Sequence, residues 1–429
     1  MKRSFGSTLA CLILCAVALP AAAGVQSPCA DPIILPGPKV QVFIMPYQAQ
    51  GQLSARGHEL ATILQRHVLF AALKYPSIAV EELTGEPGEP KGCEPERIMS
   101  RVGAKLQDGQ AAIFLWGRLF EQGDAIRLQS TLAFTMHGSP DKLQWSLGDA
   151  ANHASASVPG DPVLFAARQI PLDLLQAIQP AYREARRFHK APDASSSFFD
   201  LPDSPEARFG YEVLETRDDW MHIRLIPGGD DGWVPAHALA SADNLKGSFP
   251  ELYFVDGLIG YHQLWGVGSR PAAANRGRML ELTRASFDRY IQQAAGRAES
   301  EARALAMILK GNATLRAAGP GEWSTQTLQQ AQALYRDGQE LAPTSTIASN
   351  FFLACSSALC ARGACADGSD QLHEQYLRAI ARDPTSTELV TNLDRFYGAA
   401  QSGRIRLSVP ADQIAEQRAR TSRVQREMH

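Results

Sequence analysis

Apolar and polar positions along the chain change period twice, which divides it into three stretches. In the first, from about Pro38 to Lys190, the runs VQVFIMPY (40–47) and SIAVEEL (77–83) read as strands. Between them, Leu60, Ile63, Leu64, His67 and Val68 fall on one face of a helix predicted over Gly57–Leu73. A second helix is expected over Glu94–Leu106, followed by AAIFLWGRL as a buried strand. In AIRLQSTLAFTM the residues Ile126, Leu128, Ser130, Leu132, Phe134 and Met136 point one way, as on a half-buried strand. GSPDK reads as a turn, LQWSL as the continuation of that hairpin, and Asp161–Arg187 as a closing amphipathic helix. This order predicts an α/β domain with a mixed sheet over 38–190.

A polar linker at 191–200 leads to the second stretch, 201–245, with alternating strands around Val213 and Ile223 and a Gly-Gly-Asp-Asp-Gly turn. The third stretch, 248–401, is helical, with three-and-four spacing over 276–297, 299–318, 324–341, 345–361, 369–382 and 386–400. Its first part, 248–275, is aromatic and Gly-rich (GLIGYHQLWGVGSRP) and shows no usable period. The tail at 402–429 is rich in arginine and reads as a partly helical, solvated extension.

Three resemblances follow from particular residues. AAIFLWGRLFEQGDAIRLQSTL, a buried strand ending in Gly117 and leading into a long alternating strand, resembles envelope α/β domains related to the TolB amino-terminal domain. That likeness implies a periplasmic, non-catalytic protein-binding module. Asp219, Trp220, His222, Ile223, Arg224 and Leu225, then Gly232, Trp233 and Val234, resemble the pattern of bacterial SH3-like domains. The usual first strand of that family is replaced here by FFDLPDSPEARFG. The resemblance implies a small β-barrel with an aromatic groove for a peptide or sugar, to which Tyr211, Trp220, His222 and Trp233 would contribute. Ala331, Tyr335, Gly338 and Pro343, repeated as Leu372, Tyr376, Ala379 and Pro384, resemble the second helix of tetratricopeptide repeats, with prolines 41 residues apart. A concave face for peptide segments is implied, on which Asn350, Asn392 and Arg395 are candidates. The fold class expected is therefore multidomain α+β: an α/β mixed-sheet domain, an SH3-like barrel and a tetratricopeptide-like helical array.

The amino terminus adds a compartment. Lys2 and Arg3, the apolar run Leu9–Leu19 and the small residues Ala21–Gly24 have the form of a secretory signal peptide over residues 1–23, cleaved after Ala23. A lipid-anchored form is the minor alternative, and the apolar run is too short to span a bilayer. A periplasmic or secreted location with no transmembrane segment is expected. Of the seven cysteines, Cys29, Cys93, Cys355, Cys360 and Cys365 lie beyond this segment, an odd number in a space where disulfides persist. Cys29 with Cys93, and Cys360 with Cys365 across the turn ARGA, are the candidate pairs. The three late cysteines lack the paired spacing of a zinc site.

Composition excludes more than it assigns. A net charge of -3 argues against nucleic acid as a partner. The chain carries no G-x-S-x-G elbow, no H-E-x-x-H and no phosphate-binding G-x-x-x-x-G-K-[ST] loop. Glu81-Glu82, Asp218-Asp219 and Asp230-Asp231 read as surface pairs. No metal, no cofactor and no catalytic set is expected. The reading that follows is an exported, non-catalytic scaffold that binds an envelope protein or a cell-wall peptide. The alternative is a peptidoglycan-active hydrolase with an SH3-like targeting domain, for which Glu59, His67 and Glu121 would be the residues to suspect.

Overall fold

A computed structural model of the protein describes residues 32–45, 47–49, 78–82, 94–122, 125–137, 141–148, 152–170, 187–200, 210–226, 229–235, 249–264, 273–294, 299–319 and 323–428, together with positions 53, 57, 60, 61, 64, 68 and 296. The architecture is α+β, a large mixed sheet with helices packed on it. At its centre β1 (Val40–Ile44) runs parallel to β2 (Ile78–Glu82) and β3 (Ala111–Gln122). β1 is buried throughout because both of its faces are covered. Val40, Val42 and Ile44 enter the main core, whereas Phe43 packs with Phe114 and with Ile98 and Val102 of α1 (Pro95–Lys105). The described positions Gly57, Leu60, Ala61, Leu64 and Val68 are helical and buried; Ile63, His67 and Glu59 lie outside the described residues.

β3 returns as β4 (Ala125–Met136), and the predicted alternation holds, with Ile126, Leu128, Ser130, Leu132, Phe134 and Met136 buried. Gly117 matters here for space. A Cβ on it would lie 2.2 Å from the Gln129 carbonyl oxygen and 2.4 Å from the Tyr47 ring. The outer edge of β4 pairs with β7 (Val163–Leu164) and β8 (Arg168–Ile170). These strands replace the start of the helix predicted over Asp161–Arg187, because a long edge strand leaves backbone groups that the following segment satisfies. The hairpin prediction also changes. β5 (Asp141–Ser146) pairs with β6 (His153–Val158) in a separate two-stranded sheet instead of continuing from β4. Burial of Leu143 and Trp145 draws this pair away from the main sheet.

On the far side of β2 lies β11 (Gly210–Arg217), with Tyr211 opposite Val80. β12 (Trp220–Ile226), β13 (Asp231–Pro235), β9 (Arg187–His189) and β10 (Phe198–Asp200) complete that wing. Strands from the stretch 201–245 are therefore hydrogen-bonded into the same sheet as β1–β4, and the predicted linker at 191–200 supplies β10.

The periodless segment 248–275 holds α2 (Glu251–Gln263), in which every residue is buried. Its lack of a polar face explains why no helical period marks it. Then come α3 (Ala273–Gln293), α4 (Ser300–Ala318), α5 (Thr325–Leu341), α6 (Thr346–Ala361), α7 (Ser369–Arg382) and α8 (Thr387–Gln401), and the tail forms α9 (Ala411–Met428). Ser324, Ser345 and Ser386 cap α5, α6 and α8 by accepting from the Thr327, Ala348 and Leu389 amides. Cys360 and Cys365 form a disulfide that closes the turn after α6. Cys355 is a buried thiol donating to the Leu328 carbonyl at 3.5 Å, and burial pushes its pKa up. Cys29 and Cys93 lie outside the described residues.

One of the acids read as surface is largely enclosed. Glu81 accepts from the Ile33 amide at 3.1 Å, and burial raises its pKa to about 7. The folded chain then keeps a proton between pH ~4.5 and ~7 that the unfolded chain has released, so stability falls as pH rises through that window. The expected loss is at most ~3 kcal/mol. Urea midpoints at pH 5 and pH 8 check it: Glu81→Gln should flatten the decline, and an equal decline in both proteins would refute the assignment.

Candidate functional site

The side chains with the most directed geometry lie where the helical array meets the β5–β6 hairpin. Asn392, on α8, accepts the Ser155 amide at 2.9 Å and donates to the Ser155 carbonyl at 2.6 Å. Its amide thus pairs with both backbone groups of one residue, as a neighbouring strand would. One turn earlier Glu388 accepts from the Ser157 amide at 3.2 Å and from its hydroxyl at 2.6 Å. The spacing explains the fit: four helix residues advance ~6 Å and two strand residues ~6.8 Å, so an i, i+4 pair can follow alternate residues of an extended backbone. Asn350 of α6 donates to Glu388 at 2.8 Å and accepts from Asn392 at 2.7 Å, and Arg395 reaches the Ser155 hydroxyl at 3.3 Å. Asn350, Asn392 and Arg395, expected on one face, are brought together, and the face is filled by the chain's own β6.

The other strand of the hairpin is anchored more deeply. Asp141 is fully buried and forms an ion pair with Arg316 of α4. It also accepts from the Tyr261 hydroxyl of α2 and from Asn312 of α4, and Asn312 in turn accepts from Tyr335 of α5 at 2.8 Å. Trp145 stands edge-on to Tyr335 and Phe351, with Trp323 beside it, and its indole N–H has no partner.

A second enclosed polar cluster joins the sheet to α2. Tyr47 donates to the Ser130 hydroxyl at 3.0 Å, and Ser130 donates to Glu251 at 2.5 Å. Arg168 is 3.7 Å from Glu251 and bonds to Glu299, so one guanidinium serves two buried carboxylates. Burial raises the pKa of Glu251, against the opposing pull of the Ser130 bond and Arg168. His262 is buried with both ring nitrogens unpartnered, and burial lowers its pKa to about 4, so it is neutral at physiological pH. Among the described residues no group of three or more His, Cys, Asp or Glu side chains is placed to hold a metal ion, and no helix is long and apolar enough to cross a membrane. Glu121 is exposed on β3.

The predicted aromatic groove divides between two faces. Trp233 stacks on His222 with centroids 4.8 Å apart, and His189 stands 5.2 Å from Trp220. These residues share one face because Trp233 pairs with both His222 and His189 across the strands; on it Trp233 and His189 are buried, and Trp220 and His222 are half-buried. His222 bonds to Asp231 at 2.5 Å. Tyr211, opposite Leu225 and next in the alternation to buried Val213, points to the other face, where it is buried and stacks with Phe188. It belongs to the core, and strand register decides this.

No known family profile matches the chain, and neither a curated protein nor a solved structure matches it. The residues at the hairpin face that sequence reasoning did not single out are Ser155, Ser157, Glu388, Asp141 and Arg316. The small-residue alternation HASASV was the one signal available for a strand that must pass close to helices. Asn392→Ala leaves the Ser155 amide buried without its acceptor and the carbonyl with only the 3.4 Å bond from Asn350, and should cost ~1–3 kcal/mol in urea unfolding. Asn392→Asp should cost at least as much, since a carboxylate cannot donate to the carbonyl. A change below ~0.5 kcal/mol in both, the range of ordinary surface substitutions, would refute the clamp.

Proposed function

We propose that this protein is an exported, non-catalytic scaffold of the cell envelope whose helices form tetratricopeptide-like pairs that hold extended polypeptide. The observation that carries the reading is the two-point grip of Asn392 on the Ser155 backbone, with Glu388 on Ser157. A helix face with this geometry reads main chain, and main chain is common to any extended partner segment. The face on which half-buried Trp220 and His222 lie over buried Trp233, which resembles part of an SH3-like module, is a second binding surface in this reading, suited to a wall peptide or a protein loop. Export follows from the leader-like start and fits the Cys360–Cys365 disulfide, since such bonds persist outside the reducing cytosol.

The full-length protein, carrying a carboxy-terminal tag, tests both parts. Cell fractionation should recover it in the periplasm or medium with Gly24 as its first residue. Incubation with purified sacculi and with envelope extract, followed by cross-linking and mass spectrometry, should join a protein or wall peptide to residues of α6–α8 or of β12–β13. Recovery in the cytoplasm with Met1 retained, or retention of neither wall material nor protein, would overturn the reading.

A further inference from the structure

We propose that the β5–β6 hairpin is a resident occupant of the array's strand-reading face, and that a partner's extended strand of small and hydroxyl residues engages that face by displacing it. This rests on the reading that the array binds polypeptide, and it adds both the default state of the site and the chemistry of what enters it.

Four observations point to exchange. Among the described residues the hairpin is a sheet of its own, with no strand pairing to the eleven-stranded sheet. Its bonds to α6 and α8 run through the backbone and hydroxyls of Ser155 and Ser157, which another strand can present one for one. The clamp is also tied within the array itself, Asn392 donating to Asn350 and Asn350 to Glu388, contacts that do not involve β6. The aromatic anchor is imperfect: Trp145 is buried with its N–H unpartnered, a cost that release of the hairpin removes.

The required chemistry of the incomer can be read from β6. Ala154 and Ala156 are fully buried, and they lie opposite Trp145 and Leu143 on β5. Both belong to the main core, where larger side chains would overpack it. The strand that replaces β6 must therefore alternate small residues with serine or threonine, the hydroxyls meeting Glu388 and Arg395. The Asp141–Arg316 ion pair, buried and reinforced by Tyr261, holds the resident state as the default.

Two measurements on the full-length protein test the proposal. Native-state hydrogen exchange of the unmodified chain should show the Ser155 and Ser157 amides exchanging at least 100-fold faster than those of Val42 and Ile113, because the hairpin opens without global unfolding. Equal protection of all four would overturn it. A labelled synthetic peptide spanning residues 141–158 should bind Trp145→Ala at least tenfold more tightly than wild type, and Asn392→Ala in that background should remove the gain. Equal affinity for wild type and for a Trp145→Ala protein that keeps its helical circular dichroism would also overturn it; if that variant does not fold, hydrogen exchange alone decides. Neither measurement uses an envelope partner, so an exchanging hairpin with no captured partner, or a captured partner with a hairpin that never opens, separates this inference from the proposed function.

Discussion

The sheet and the helical array meet across a helix with no side open to water. α2 lies between the sheet and the helical array, and all of its residues are buried, among them Glu251, Asp256, His262 and Gln263. Buried charge is tolerable only with partners, so the neighbouring elements must supply them. Ser130 and Arg168 from the sheet meet Glu251, and Tyr261 joins Asp141 and Arg316. The two polar clusters fix how the sheet, the hairpin and the array meet. Ion pairs of this kind add little net stability, since desolvation offsets much of their attraction. Aromatic edges do the remaining packing: Phe165, Phe254, Phe287 and Tyr290 interlock across the same helix.

The same enclosure explains the site at the hairpin. A strand brought among helices has backbone donors and acceptors on the edge away from its partner, and these cannot remain unpaired once buried. Asn392 and Glu388 provide the missing edge. A surface able to satisfy one extended backbone has the chemistry to satisfy another, which is why the clamp supports a binding function more strongly than the polar clusters support catalysis. Those clusters are closed in by α2 and the sheet; the clamp faces a segment held by side chains at one edge.

Legibility in the sequence followed the range of the forces involved. Helices α3 to α8 were readable because three-and-four spacing is a local property. Asn350, Asn392 and Arg395 came as candidates from the repeat resemblance, but their partner Ser155 is more than 190 residues away, and nothing local announces it. α2 was missed because a helix buried all round has no period. β5 was assigned to the wrong neighbour since a turn signal names the next segment, while burial of Trp145 among Trp323, Tyr335 and Phe351 decides where the segment goes. Tyr211 was grouped with the tryptophans because sequence shows aromatic content and only register shows the face.

The pairing of β11 with β2 has a consequence for how the chain is made. Val80 and Tyr211 are neighbours in the sheet but are separated by 131 positions. Until the later strand has been synthesised, β2 presents an open parallel-sheet edge, the type of surface on which unfinished chains associate. A fragment that ends before Gly210 retains that open edge permanently. The protein is thus a chain whose solubility during synthesis depends on its middle third arriving promptly, and whose amino-terminal half is a hazardous place to truncate.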